Sequence, residues 1–117
     1  MRSRSRRWLR DAAAAGAYIQ TKVAGRTIDD YATDEDLRSI VERKFEILGE
    51  AIVRVRDNDP ATVARLTGFR EFINLADILA HDFDDITPVR VWAVAEDSLP
   101  TLLAEIAGLM AEEEAGE

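Results

Sequence analysis

The chain has 117 residues, of which 47% are hydrophobic, a formal net charge of −8, one histidine and no cysteine. This length fits one compact domain, so we expect a single domain over residues 1–117. Without cysteine the chain has no disulfide framework and no thiolate metal site, and a zinc ion bound by its one histidine would need three carboxylate ligands. We therefore expect no metal and no other cofactor, and the composition is typical of a cytoplasmic protein.

Positive charge is concentrated at the start of the chain. The first ten residues contain no acidic residue and include five arginines, whereas the rest of the chain has ten basic against 23 acidic residues. The arginines of this basic head are Arg2, Arg4, Arg6, Arg7 and Arg10. Such a head can contact phosphates, but it is more often solvated or paired with acidic surfaces, and we favour the second interpretation. The acidic remainder argues against broad coating of nucleic acid, so any contact with nucleic acid should be local.

Hydrophobic segments are short throughout the chain. The longest apolar runs span only a few residues, and no hydrophobic segment follows the arginine-rich start. We therefore expect neither a membrane span nor a secretory signal.

The first predicted helix runs from about Ser5 to Ala24. Apolar residues recur in it at three- and four-residue spacings, which is typical of a helix with one buried face. These residues are Trp8, Leu9, Ala12, Ala15, Ile19 and Val23. Gly25 should end the helix. In the connector that follows, Thr33 is predicted to cap the next helix, with Asp36 in its first turn.

The second predicted helix has the clearest pattern in the sequence. Its apolar residues step by 4, 4, 3, 4 and 3 positions, and they are Leu37, Val41, Phe45, Leu48, Ile52 and Val55. This spacing predicts one buried face and a helix that reaches about Arg56. Asp59 followed by Pro60 then predicts the cap and first residue of a short helix ending near Leu66.

The remaining elements are also predicted to be helical. A helix should run from about Phe69 to Ala80, and Thr87 should cap a further helix that begins at Pro88. Ser98 and Pro100 should either kink that helix or restart it before the acidic C-terminus. No alternating strand pattern is present, so the predicted fold class is all-α.

One side of the Phe69–Ala80 helix carries a stripe of polar residues. Arg70, Asn74, Asp77 and His81 step by 4, 3 and 4 residues, so they lie within about 60° of one another on the helix. The opposite side is apolar and should face the core; its residues are Phe72, Leu75, Ala76, Leu79 and, if the helix reaches it, Phe83. His81 is therefore expected to point away from the core.

Two interpretations of His81 remain open on spacing alone. Asp77, four residues earlier, can hydrogen-bond one ring nitrogen and leave the other for proton transfer. Alternatively, His81 is an ordinary surface histidine near a helix C-terminus, where the backbone dipole favours its protonated form. If the chain dimerises with the two stripes facing each other, two histidines would share one cleft.

Three segments together resemble a known family. The segment around Leu48-Gly49-Glu50-Ala51 resembles the second helix of the HepT-like family of the HEPN superfamily. The stretch FREFINLADILAHDFDDI, which contains His81, resembles the signature helix of that family. The stretch TPVRVWAVAEDSLPTLLAEI resembles its closing helix, with Trp92 and the break at residues 97–100 in the expected places. The resemblance extends from Trp8 to Ile106.

The resemblance implies a fold, an activity and partners. It implies a homodimeric, up-and-down, HEPN-like bundle of about five helices that acts as the toxin of a type VII toxin–antitoxin pair. The family activity is metal-independent RNA endonuclease cleavage. The implied partners are a second copy of the chain, RNA, and a minimal nucleotidyltransferase antitoxin that adds AMP to a signature tyrosine. By this resemblance His81 is the general acid/base. From the spacing we expect Asp77 to orient its ring, and we assign Arg70 and Asn74 on the same stripe to substrate binding.

The chain departs from the family signature at three positions. Ala76 stands in place of the family arginine, Asp77 in place of an asparagine, and Phe83 in place of the tyrosine that accepts AMP. Ala76 removes a cation that would bind phosphate and Asp77 adds negative charge, so we expect cleavage to be weak or absent. The alternatives are a non-catalytic dimeric binding partner of a nucleotidyltransferase, or a helical dimerisation module with no nucleic-acid role.

Overall fold

The structure, a computed structural model, describes residues 1–81 and 87–116, and these ranges contain helices and no strands. The helices are α1 Ser3–Val23, α2 Ile28–Thr33, α3 Glu35–Asn58, α4 Pro60–Val63, α5 Phe69–His81, α6 Pro88–Ala93 and α7 Leu99–Ala115, with a π-helical turn at Val94–Ser98 between α6 and α7. The predicted all-α fold class is confirmed. Within the described ranges, no helix combines the length and apolar character needed to cross a bilayer.

Helix α3 is the centre of the bundle. It packs against α1 on one side and against α5 on another. All six apolar residues that the sequence placed on its inner face are buried, and they join one core with the inner residues of α1, α5 and α7. The predicted inner face of α1 is also buried, except that Trp8 is only partly covered. Periodic apolar residues therefore determine which face of each long helix points inward.

The connector before α3 contains a helix that the spacing did not predict. Thr27 and Asp30 form a capping box, in which the Asp30 N–H donates to the Thr27 hydroxyl and the Thr27 N–H donates to the Asp30 carboxylate. Thr33 is the last residue of this helix, α2, and its hydroxyl donates to the Asp29 carbonyl at 2.8 Å. The prediction that Thr33 caps α3 is wrong. Asp34 caps it, accepting from the Leu37 N–H at 3.0 Å.

Two glycines mark the ends of predicted elements. Gly25 follows α1 with φ 73°, a left-handed conformation that favours glycine, which confirms its predicted role. Helix α4 ends at Val63 rather than at the predicted Leu66. After it the chain tightens into a turn, where the Leu66 N–H donates to the Val63 carbonyl at 2.9 Å, and Gly68 (φ 70°) leads into α5.

The buried carboxylate of Asp59 joins the start of α1 to α4. It accepts hydrogen bonds from the Arg2 N–H at 3.0 Å, the Ser5 hydroxyl at 2.8 Å and the Thr62 hydroxyl at 2.8 Å. These donors favour the ionised form, the Arg2 N–H most strongly, and lower the pKa of Asp59 to about 2. Asp59 takes the predicted N-cap position of α4, but its side chain makes no cap to the α4 backbone. It holds the basic head at the α3–α4 junction instead.

The basic head also contacts the acidic C-terminal region. The Arg6 guanidinium lies 3.4 Å from the Glu113 carboxylate, and the N-terminal amine lies 3.9 Å from the same residue. This pairing agrees with the favoured interpretation of the head as a segment partly neutralised by acidic surface.

The C-terminal helical path passes through the π-helical turn. There the Leu99 N–H donates to the Val94 carbonyl, and α7 resumes with Pro100 in its first turn. Ser98 donates a hydrogen bond to Glu71 on α5, which ties this turn to the helix carrying the polar stripe. The helix thus restarts at the predicted break instead of ending there.

Candidate functional site

The polar stripe of α5 lies on the surface as predicted. Arg70, Asn74, Asp77 and His81 are all exposed. The buried residues of α5 are those predicted for its inner side, namely Phe72, Leu75, Ala76 and Leu79. Phe83, predicted as a further inner residue and as the AMP-acceptor position, lies outside the described residues.

His81 is held through one ring nitrogen. Its Nδ1 lies 3.1 Å from the Asp77 carbonyl oxygen and 3.4 Å from the Asp77 carboxylate. Two acceptors beside Nδ1 favour a proton on that nitrogen, which leaves Nε2 as the proton acceptor in the neutral ring. Nε2 has no hydrogen-bond partner among the described residues. Because both side chains are about three-quarters exposed, at 75% and 76%, a ligand can reach the ring.

A groove between α3 and α5 runs past His81. Its cavity has a volume of about 500 Å³. Asn74, Asp77 and His81 line it from α5; the charged residues that line it from α3 are Glu46, Glu50, Arg54 and Arg56. A second hollow of about 490 Å³ shares Arg56, Ile73 and Asn74 with the first and continues to Arg70 and α4. We call the two together the α3–α5 groove.

The close approach of the two helices at Gly49 forms the floor of this groove. A Cβ atom added to Gly49 would overlap the methyl group of Ala76 and would lie 3.0 Å from the Phe72 carbonyl oxygen. Only glycine permits this contact, which lets α3 and α5 pack closely together. Ala76 is itself 8% exposed and lies where the two helices touch.

Arg54 brings a cation to the same groove as His81 within one chain. Its guanidinium makes no hydrogen bond or ion pair with the described residues, and the side chain is exposed. Arg56, by contrast, is paired with Asp57 at 3.0 Å. The sequence offered a partial signal, because Glu46, Glu50 and Arg54 recur at four-residue spacing and must share a face of α3. That this face lies beside α5 became visible only in the structure.

Three acidic residues are among the described residues that line the groove. Glu46, Glu50 and Asp77 line its His81 end, where they oppose the binding of a polyanion. Arg70 lies in the second hollow, as expected for a residue about 16 Å from His81 along the helix. Within residues 1–81 and 87–116, no three histidine or acidic side chains cluster in a way that could bind a metal ion.

Comparisons with known proteins identify relatives over most of the chain. The family model described as Ribonuclease HepT-like matches residues 13–109, a span that contains α3 and α5. A Methanocaldococcus jannaschii protein named "Gamma-glutamylcyclotransferase and putative RNase" is 29% identical over 94 residues, which cover 80% of this chain and 42% of the relative. The chain thus spans less than half of that relative's length. No solved structure matches the chain.

Proposed function

Because the chain belongs to the HepT-like ribonuclease family, we propose that it binds RNA in the α3–α5 groove and cleaves it slowly, as the toxin of a type VII toxin–antitoxin pair. The family predicted from the motifs is confirmed by the matching family model. The observation that carries the proposal is that His81 and Arg54 line the same groove, and that His81 Nε2 and the Arg54 guanidinium have no partner among residues 1–81 and 87–116. A proton-transfer group and a cation are the two groups that RNA cleavage without a metal requires.

The proposed reaction uses the RNA 2′-hydroxyl as the nucleophile. His81 Nε2 accepts the 2′-hydroxyl proton as the 2′-oxygen bonds to phosphorus, and the bond from phosphorus to the 5′-oxygen breaks. The departing 5′-oxygen takes a proton from the protonated histidine of a second copy, and the other product ends in a 2′,3′-cyclic phosphate. The Asp77 carbonyl oxygen and carboxylate orient the ring through Nδ1.

In this proposal Arg54 replaces the family arginine, whose position is occupied by Ala76. Its guanidinium would bind a phosphate of the RNA strand that lies in the groove. The acidic residues that line the same groove raise the free energy of bound RNA. We propose slow cleavage because Arg54, the substitute cation, shares the groove with carboxylates that oppose RNA binding.

The proposed assembly is a homodimer with the two His81 stripes facing each other. The exposed His81 and Asp77 side chains are available to a second copy. We further propose that a minimal nucleotidyltransferase antitoxin regulates the dimer by binding it, because Phe83 has no hydroxyl to accept AMP. Sedimentation equilibrium at micromolar concentration should give the dimer mass, and a monomer mass would contradict this arrangement.

A second candidate is favoured by Ala76. Since this residue packs against Gly49 at the helix crossing, no cation projects from the position where family members carry arginine. The chain would then be a non-catalytic dimeric partner of a nucleotidyltransferase. This candidate predicts that the purified chain binds the nucleotidyltransferase and leaves RNA intact.

The proposed function is tested by two arginine variants of α3. Arg54→Gln removes the groove cation, whereas Arg43→Gln removes an exposed arginine of the same helix that does not line the groove. We expect Arg54→Gln to lower the RNA cleavage rate by about tenfold or more. Arg43→Gln should cleave at the wild-type rate. Equal rates for the two variants would contradict the role of Arg54, and intact RNA with the wild-type chain would favour the second candidate.

A further inference from the structure

The two halves of the α3–α5 groove differ in charge. Among the described residues, the His81 half is lined by three acidic residues and by Arg54 and Arg56. The other half, next to α4, contains Arg56 and Arg70 and no acidic residue among the described residues that line it. We call this second hollow the arginine half. A polyanion that reaches His81 is therefore attracted towards α4 and repelled from the opposite direction.

The arginine half combines cations with flat and apolar surfaces. The Arg70 guanidinium lies over the Phe69 ring, 4.8 Å from its centroid, and has no ion pair with the described residues. Arginine guanidinium groups and aromatic rings are surfaces on which nucleobases stack. Asn74 adds an amide that can both donate and accept at a base edge. The cavity of about 490 Å³ is within the size range of small-ligand sites.

The arginine half shares lining residues with the hollow that contains His81. Arg56, Ile73 and Asn74 line both hollows, so the two form a continuous surface. Asn74 precedes His81 by seven residues, which is about 10 Å along α5. An RNA strand with a phosphate at His81 can therefore place an adjoining nucleotide over Asn74.

The basic head adds positive charge at the same end of the molecule. Asp59 holds Arg2 and Ser5 beside the α3–α4 junction, and Pro60, the next residue, lines the arginine half. Arg2 and Arg4 line a separate hollow together with Asn58, two residues before Pro60. A strand that continues past Pro60 towards that hollow would meet further arginines.

We propose that the arginine half is a nucleotide subsite, which binds the phosphate and base next to the scissile phosphate and directs the RNA strand towards α4. Arg56 and Arg70 contact the phosphates, and Asn74 contacts the base edge. The exposed pair between Arg56 and Asp57 is weak, so a phosphate can compete with it. The position of the scissile phosphate rests on the proposed function, whereas binding in the subsite does not require cleavage.

The test measures binding of a short, labelled single-stranded RNA to protein that carries His81→Ala. Adding Arg56→Gln with Arg70→Gln should weaken binding by about tenfold and reduce the slope of log K against log salt concentration by about 1.4, the value for two phosphate contacts. The matched control adds Arg43→Gln with Arg90→Gln, which removes the same charge from exposed positions outside the groove. Its slope should remain that of the parent.

The variant Asn74→Ala tests the contact with the base independently of the contacts between arginines and phosphates. It should change the relative affinity for the four RNA homopolymers and leave the salt slope unchanged, because it removes an amide and no charge. An unchanged homopolymer preference would overturn the assignment of Asn74. Circular dichroism of each variant verifies that the helices are retained.

Failure of the subsite and failure of the proposed function give different results. If both double variants weaken binding equally, or if RNA does not bind at all, the subsite is wrong. If only the Arg56 and Arg70 double variant loses affinity but the wild-type chain leaves RNA intact, the subsite stands and the cleavage proposal is wrong. If the wild-type chain cleaves RNA and both double variants bind it equally well, the cleavage proposal is supported and the subsite proposal is wrong.

Discussion

The orientation of the His81 ring depends on a small number of neighbouring groups. Its imidazole is mostly in solvent, and the contacts that orient it come from Asp77, one turn earlier on the same helix. The exposed position of His81 and the approach of the Asp77 carboxylate were predictable from the i to i+4 spacing, whereas the hydrogen bond to the Asp77 backbone carbonyl was not predicted. The contribution of Arg54 was not predictable, because helix periodicity specifies a face of α3 and not the neighbour that this face meets.

Asp59 makes the stability of the fold depend on pH. Its pKa is lowered from 3.8 to about 2 in the folded chain by the Arg2 N–H and the Thr62 and Ser5 hydroxyls, against the opposing effect of burial. The ionised carboxylate therefore stabilises the fold fully above pH 3.8, and this contribution is lost as the pH falls through about 2.

Asp59→Asn should reveal this contribution. We expect the variant to lose about 2 kcal/mol of unfolding free energy at pH 7, since one pKa unit corresponds to about 1.4 kcal/mol. In urea denaturation the gap between wild type and variant should narrow as the pH falls from about 4 towards 2. A gap that stays constant over that range would show that the charge of Asp59 is not what stabilises the junction.

At the scale of the element, the crossing of α3 and α5 determines the site. Gly49 lets α5 approach closely enough for residues of both helices to line one groove. The long helices were predictable because their apolar faces are periodic. Helix α2 was missed because six residues are too few to show a period, although the Thr27 and Asp30 capping box was present in the sequence.

Gly49→Ala tests the crossing, with Gly108→Ala as its matched control. Alanine at position 49 would overlap the Ala76 methyl, so we expect a loss of about 1–3 kcal/mol of unfolding free energy from overpacking. Gly108 lies within α7 with nothing within 4 Å of an added Cβ. There alanine should stabilise the protein by up to about 1 kcal/mol through helix propensity alone. If urea denaturation shows that both variants gain stability, the close approach at Gly49 is wrong.

At the scale of the whole molecule, the net charge does not show how charge is distributed along the groove. The chain carries −8 overall, yet one half of the groove has two arginines and no acidic residue among its described lining residues. The sequence predicted that contact with nucleic acid should be local. The sequence could not predict the location of this contact, because the groove joins residues of α3, α4 and α5 that lie up to 35 positions apart, from Glu46 to His81.

The bundle also brings the two ends of the chain together. The basic head meets Glu113 near the C-terminus, and Asp59 fixes the same head to the α3–α4 junction. These contacts hold the basic head at Asp59, next to Pro60 of the arginine half, so the proposed path of the RNA strand depends on the tertiary fold as well as on the stripe of α5.

The most direct test of the account is cleavage of a labelled single-stranded RNA by the wild-type chain and by His81→Ala, with protein in excess and a metal chelator present. We expect wild type to yield products ending in a 2′,3′-cyclic phosphate and His81→Ala to be slower by about a hundredfold or more, while both bind RNA with similar affinity. Cleavage by His81→Ala at the wild-type rate, or loss of cleavage that follows only from loss of binding, would contradict the central role of His81.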